Sequence, residues 1–122
     1  MVHIYTKTGC NSSLKALKWL QFFQIPHQHR SLAQMTEEDF YQILSLTEGG
    51  IEDILIKSKL KESQATLNIE ELKIQDVLEL MHTHPKCFKS PIIVDPLKLL
   101  IGWNGETIRQ FLPKAYRKVE RT

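Results

Sequence analysis

The sequence predicts an α/β fold from three observations: a β–α–β opening, a long central stretch of helical period, and a closing β–β–α. Val2 to Tyr5 is short and β-prone, with Val2 and Ile4 on one face. Thr6 to Ser13 is a turn-and-cap cluster containing Gly9. From Leu14 the period becomes helical: Leu17, Leu20 and Phe23 recur, and Ala16, Trp19 and Phe22 widen the apolar stripe until Pro26 ends it. Pro26 to Arg30 is short, polar and strand-like. A β–α–β unit favours a parallel pair with a right-handed crossover.

The central block, about residues 36–83, reads as a helical insert of about four short pieces. Thr36 caps the first, with Asp39 three residues on completing something close to a capping box. Phe40, Ile43, Leu44 and Leu46 follow at helical spacing, and Gly49-Gly50 stops them. Ile51, Ile54 and Leu55 predict another short helix, and Lys57 to Lys61 is basic. Ile69, Leu72, Val77, Leu80 and Met81 predict one or two more helices before Pro85. Then the β pattern resumes. Pro91 to Val94 and Leu97 to Ile101 flank an Asp95-Pro96 turn and predict an antiparallel hairpin. Glu106 to Leu112 reads as a final helix before Pro113. This order, βαβ, helical insert, ββα, is the thioredoxin-like layout with a central helical insertion. It is read as a single domain over residues 1–122.

Composition narrows the function. The net charge of +2 is too small to argue for nucleic-acid binding by charge. Lys114, Arg117, Lys118 and Arg121 make the tail basic, but Glu120 interrupts it, which fits a solvated end. Two cysteines are too few for a disulfide scaffold. No run has a signal-peptide pattern or the length of a membrane span. The expectation is a cytoplasmic protein that does not engage the membrane.

Cys10 follows a strand and opens a helix, where main-chain N–H groups and the positive helix end favour a thiolate. The motif is Cys10-Asn11-Ser12-Ser13, a CxxS, so Ser13 stands where a second cysteine would close a small disulfide; its hydroxyl is within reach of the sulfur. The alternative is a helix-capping turn that happens to hold a cysteine. Cys87, in a loop before Pro91, is either a resolving thiol or a buried, idle one; the second is favoured. Ser90-Pro91 precedes a strand, where thioredoxin-type folds often place a cis proline. His27 with His29 and His82 with His84 form two HxH pairs, read as solvent-facing rather than as metal ligands, and His3 stands alone. No metal and no cofactor is expected. No serine elbow or paired carboxylates point to hydrolysis.

The chain resembles the ArsC/Spx family, and within it Spx-type transcriptional regulators more than ArsC-type arsenate reductases. The resemblance runs through Ile4-Tyr5-Thr6, Gly9-Cys10 to Lys15-Ala16, Ile25-Pro26 with Arg30, and Thr47-Glu48-Gly49-Gly50 with Ile54 and Lys57-Ser58-Lys59. It continues through Gln75-Asp76, His84-Pro85, Pro91 to Asp95 and Phe111-Leu112-Pro113. It implies a regulator without chemical turnover that binds the C-terminal domain of the RNA polymerase α subunit and alters promoter use, often under oxidative stress. Such a regulator reaches DNA only through polymerase and is a monomer when free. The resemblance assigns the polymerase contact to Gly50, with Lys57 and Lys59 as basic neighbours, and a redox role to Cys10. Gly50 doubles as a helix terminator.

Two departures bear on that reading. Ser13 removes the CxxC switch typical of Spx proteins, and Ser90 replaces the arginine that usually precedes the proline. The enzyme alternative is an arsenate reductase using Cys10, linked to glutathione or glutaredoxin. Its oxyanion needs several charge-assisted bonds. The positions matching the family's arginines are Lys57, Ser90 and Trp103, so two lack the cation, and Leu14 replaces a basic residue after the cysteine turn. A third reading is another binding module on the same fold, such as an adaptor.

Overall fold

A computed structural model describes residues 1–62 and 73–113. Four strands form one sheet: β1 (Val2–Thr6), β2 (His27–Ser31), β3 (Ile92–Val94) and β4 (Leu99–Ile101), in the order β2-β1-β3-β4. β1 and β2 are parallel, with Ile4 beside His29. β3 lies antiparallel to both β1 and β4, with Ile93 beside Ile4 and Leu100. The parallel pair and the closing hairpin are therefore as the sequence predicts.

Around the sheet lie α1 (Asn11–Phe22), α2 (Glu37–Leu46), α3 (Lys57–Glu62) and α4 (Ile74–Thr83). Alternation along the strands divides the core in two. Val2, Ile4, Ile93 and Leu100 pack with Ala16 and Leu20 of α1 and with Ile108 and Leu112. Tyr5, Ile92 and Val94 pack on the other face with Phe40 and Ile43 of α2, Leu60 of α3 and Met81 of α4. Ile4, Ile92 and Ile93 are each fully buried. Burial of each contributes about 1.5–3 kcal/mol.

Several boundaries differ from the sequence reading, each for a local reason. The second strand starts at His27, because Pro26 has no N–H to give a ladder. α2 stops at Leu46, before Gly49: Thr47 turns extended, and its hydroxyl takes the Leu44 carbonyl at 2.8 Å. The piece after Gly49 is a 3-10 turn, Gly50–Asp53, and the last helix is also 3-10, Thr107–Phe111. That last piece is squeezed between Pro113 and a turn in which Asn104 Oδ1 accepts from the N–H groups of Glu106 and Thr107, both at 2.9 Å.

Thr36 does cap α2, accepting from the Asp39 N–H at 3.1 Å. The Asp39 carboxylate does not close the box, however; it turns to β1 and accepts from Tyr5. The full capping box is at Ser31 and Gln34. Ile69, Leu72 and the basic tail fall outside the described residues. No helix among the described residues is long and apolar enough to cross a membrane.

Candidate functional site

Cys10 is the N-cap residue of α1 and is partly exposed, with extended backbone (φ −92°, ψ 111°). Gly9 precedes it at φ +74°, a conformation that suits glycine and lets β1 turn into the helix. Ser13, one turn along, is buried. Ser90 comes from the other end of the chain, preceding β3 through a cis bond to Pro91. Its hydroxyl donates to Cys10 Sγ at 3.0 Å, and Ser13 Oγ donates to Ser90 Oγ at 3.4 Å. Burial opposes the Cys10 thiolate. Hydrogen bonds from the Ser13 and Ser90 side chains and from the backbone of Ser13 and Ser12 outweigh it, and the thiol pKa lies below its ordinary value.

Sequence reasoning treats Ser90 as the loss of an arginine; the structure makes it a hydroxyl donor to the sulfur. Lys7 belongs to no motif in the sequence. Its Nζ donates to the Phe88 carbonyl at 2.6 Å. Burial lowers its pKa, nearby Cys10 and Cys87 raise it, and Lys59 lowers it further. Lys7 therefore feels both cysteines and the basic start of α3. Only its place in the turn before Cys10 hinted at this. A cleft of about 460 Å³ opens beside the thiol, lined in part by Thr6, Lys7, Leu14, Leu17 and His29.

The Gly50 turn lies over the other face of the sheet. Gly50 has φ +67°, and a Cβ placed there would meet nothing within 4 Å. Gly49 is different: a Cβ would come within 2.5 Å of Asp53 Oδ1, because the Gly49 N–H donates to Asp53 Oδ2 at 2.9 Å. Asp53 thus holds the turn, and Gly50 is its open corner. Lys57 and Lys59 follow on α3 and are exposed. The turn is tied to the thiol's neighbours. Lys89 N–H donates to the Ile54 carbonyl and Ile56 N–H to the Cys87 carbonyl, both at 2.8 Å, around a Leu55–Phe88 bridge.

The remaining candidates are placed as follows. Cys87 is fully buried in the α2-side core, and neither cysteine is in a disulfide. Trp103 packs partly buried against the α1-side core. His29 Nε2 meets Thr6 Oγ1 and His27 Nδ1 meets the Ile25 carbonyl, both at 2.7 Å. No group of three His, Cys, Asp or Glu among the described residues has metal-binding geometry. His3, outside both HxH pairs, has its Nδ1 3.1 Å from Asp39 Oδ2.

Comparison with known proteins agrees with the fold and the family. The ArsC family model matches residues 5–111. The chain is 37% identical to the Global transcriptional regulator Spx 1 of Lactococcus lactis, over 98% of this chain and 95% of that one. It is 34% identical to the Global transcriptional regulator Spx of Enterococcus faecalis, over 98% and 92%. An ArsC family related protein from Bacteroides fragilis shares the fold at a TM-score of 0.69 and 20% identity, covering 90% of this chain and 96% of that one. With the family model reaching from the end of β1 across the thiol and the Gly50 turn to Phe111, the chain belongs to the ArsC family.

Proposed function

We propose that the chain is an Spx-like transcription regulator that binds the C-terminal domain of the RNA polymerase α subunit and alters promoter use, with oxidative stress as its setting. It works without chemical turnover or cofactor, in the cytoplasm, as a monomer when free, and reaches DNA only through polymerase. Relatives named as Spx regulators, aligned over nearly the whole chain, support the class. The observation that carries the docking surface is the Gly50 turn: an open corner with room for a partner's backbone, followed in the chain by the exposed Lys57 and Lys59 of α3. Cys10 is the redox-sensitive position. With Ser13 in place of a second cysteine, no disulfide closes within the motif; exchange of the Cys10 thiolate with another molecule's disulfide gives a mixed disulfide and releases that molecule's other sulfur as a thiol.

The test is the affinity of purified chain for the purified α C-terminal domain. Gly50→Arg fills the open corner and should weaken binding about tenfold or more, or about 1.4 kcal/mol. An arginine at φ +67° costs about 1–2 kcal/mol of stability, so a thermal melt confirms that the variant is folded. Wild-type-like binding by Gly50→Arg sinks this surface, and no binding by the wild type sinks the reading.

A second reading, thiol-dependent arsenate reduction at Cys10, is favoured by the depressed thiol pKa. It ranks below the first because Ser90 and Trp103 stand where the resemblance would put cations. Arsenate-dependent oxidation of glutathione, abolished by Cys10→Ser, would bring it forward.

A further inference from the structure

α1 is packed on one face only. Ala16 and Leu20 are fully buried against the sheet, while Leu14, Lys15, Lys18 and Phe22 stand exposed on the opposite face. Leu14 is 53% and Phe22 79% exposed. Scattered apolar residues on a surface need no explanation. These two, however, lie with Lys18 on one ridge of residues four apart, about 12 Å long at the helical rise. Phe22 is also braced: its ring stands edge-on to Phe23, centroids 5.0 Å apart, and Phe23 tilts against Trp19 at 4.8 Å.

The charge on this face selects the partner. α1 contains two lysines and no carboxylate. The salt bridge formed among the described residues, His3 to Asp39, lies elsewhere. A symmetric second copy of this chain would set lysine against lysine. A membrane would need a broad apolar helix face, and that of α1 is turned into the core. A single nucleic-acid strand would need a groove to follow, and a duplex would need more cations than the two lysines of α1 to meet its phosphates. An anionic partner with an apolar stripe remains.

We propose that the outer face of α1 docks an acidic amphipathic helix of another protein, Leu14 and Phe22 entering between its side chains and Lys15 and Lys18 meeting its carboxylates. This face lies across the sheet from the Gly50 turn, whose Ile51 and Ile54 belong to the other core cluster. Both faces are open at once, so the molecule can join two partners. The proposal stands whether or not the polymerase contact does.

The experiment uses fluorescence anisotropy of a labelled helical peptide of three heptads, with leucine at a and d and glutamate at e and g. The controls are the same peptide with lysine for glutamate, a labelled oligothymidylate, and phosphatidylglycerol vesicles. The glutamate peptide should bind and weaken with salt. Lys18→Glu and Phe22→Ala should each reduce its affinity about fivefold or more. Tyr41→Ala, which removes an exposed aromatic from α2, should leave it unchanged. The proposal is overturned if the glutamate peptide does not bind, if the lysine peptide binds equally, or if both α1 variants bind as wild type. It is also overturned if the oligonucleotide or the vesicles bind in place of the peptide.

Discussion

At the scale of single residues, Ser90 joins Ser13 in tuning Cys10. Ser90 lies 80 positions away in sequence, so no local motif joins it to the thiol. It donates to sulfur and accepts from Ser13, a short chain of hydroxyls that together with the backbone N–H groups of Ser12 and Ser13 stabilises the thiolate more than burial opposes it. Ser90→Ala removes one of these donors and should raise the thiol pKa toward its ordinary value of 9.0. Rates of iodoacetamide alkylation against pH measure this: the wild-type midpoint lies below 9.0, and the variant's lies above the wild type's. An unmoved midpoint would leave the backbone N–H groups of Ser12 and Ser13, with the Ser13 hydroxyl, as the sole stabilisers. The CxxS motif and its helix start were legible in the sequence. Ser90's role was not, because it depends on where β3 enters the sheet.

At the scale of elements, Asp39 shows how one side chain joins two of them. Its N–H is capped by Thr36, while its carboxylate accepts from Tyr5 of β1 and pairs with His3. The capping spacing in the sequence points to a box closed within α2; tertiary contact drew the carboxylate away to the strand. Tyr5 records the consequence. Burial first, then the hydrogen bond and charge of Asp39, push its pKa from 10.0 up to about 12. The neutral phenol is the form the fold prefers. Its contribution is therefore whole below pH 10 and declines as pH rises toward about 12. The stability margin of wild type over Tyr5→Phe should narrow by about 1.4 kcal/mol between pH 8 and pH 11. Chemical denaturation at the two pH values measures it, and a constant margin would contradict the assigned burial of this hydroxyl.

At the scale of the whole molecule, the sheet separates two cores and two surfaces. Ile92 and Ile93 are neighbours in β3, both fully buried, yet they face opposite clusters. Ile92→Ala should open space beside α2 and α4, and Ile93→Ala beside α1, each at about 2–5 kcal/mol. Urea denaturation of the two variants checks the magnitudes, and a cost below about 1 kcal/mol at either site would mean that the core there closes up. The same division places the Gly50 turn on one side and the exposed ridge of α1 on the other. Segment 87–90 bonds to both Ile54 and Ile56 near the turn and to Cys10 beneath α1. Through it the thiol and the Gly50 turn share hydrogen-bonded neighbours.

By itself the sequence determined the element order, the parallel opening pair, the closing hairpin, and the placing of Cys10 at a helix start. These follow from apolar period, from proline and glycine positions, and from spacing between near neighbours, all of which are local. Tertiary structure alone decided that Ser90 would serve the thiol, that Lys7 would lie among both cysteines and Lys59, and that Asp39 would answer Tyr5. Apart from Lys7 and Cys10, those partners are far apart in the chain, and a hydrogen bond depends on atoms meeting within about 3 Å, a distance no one-dimensional pattern encodes.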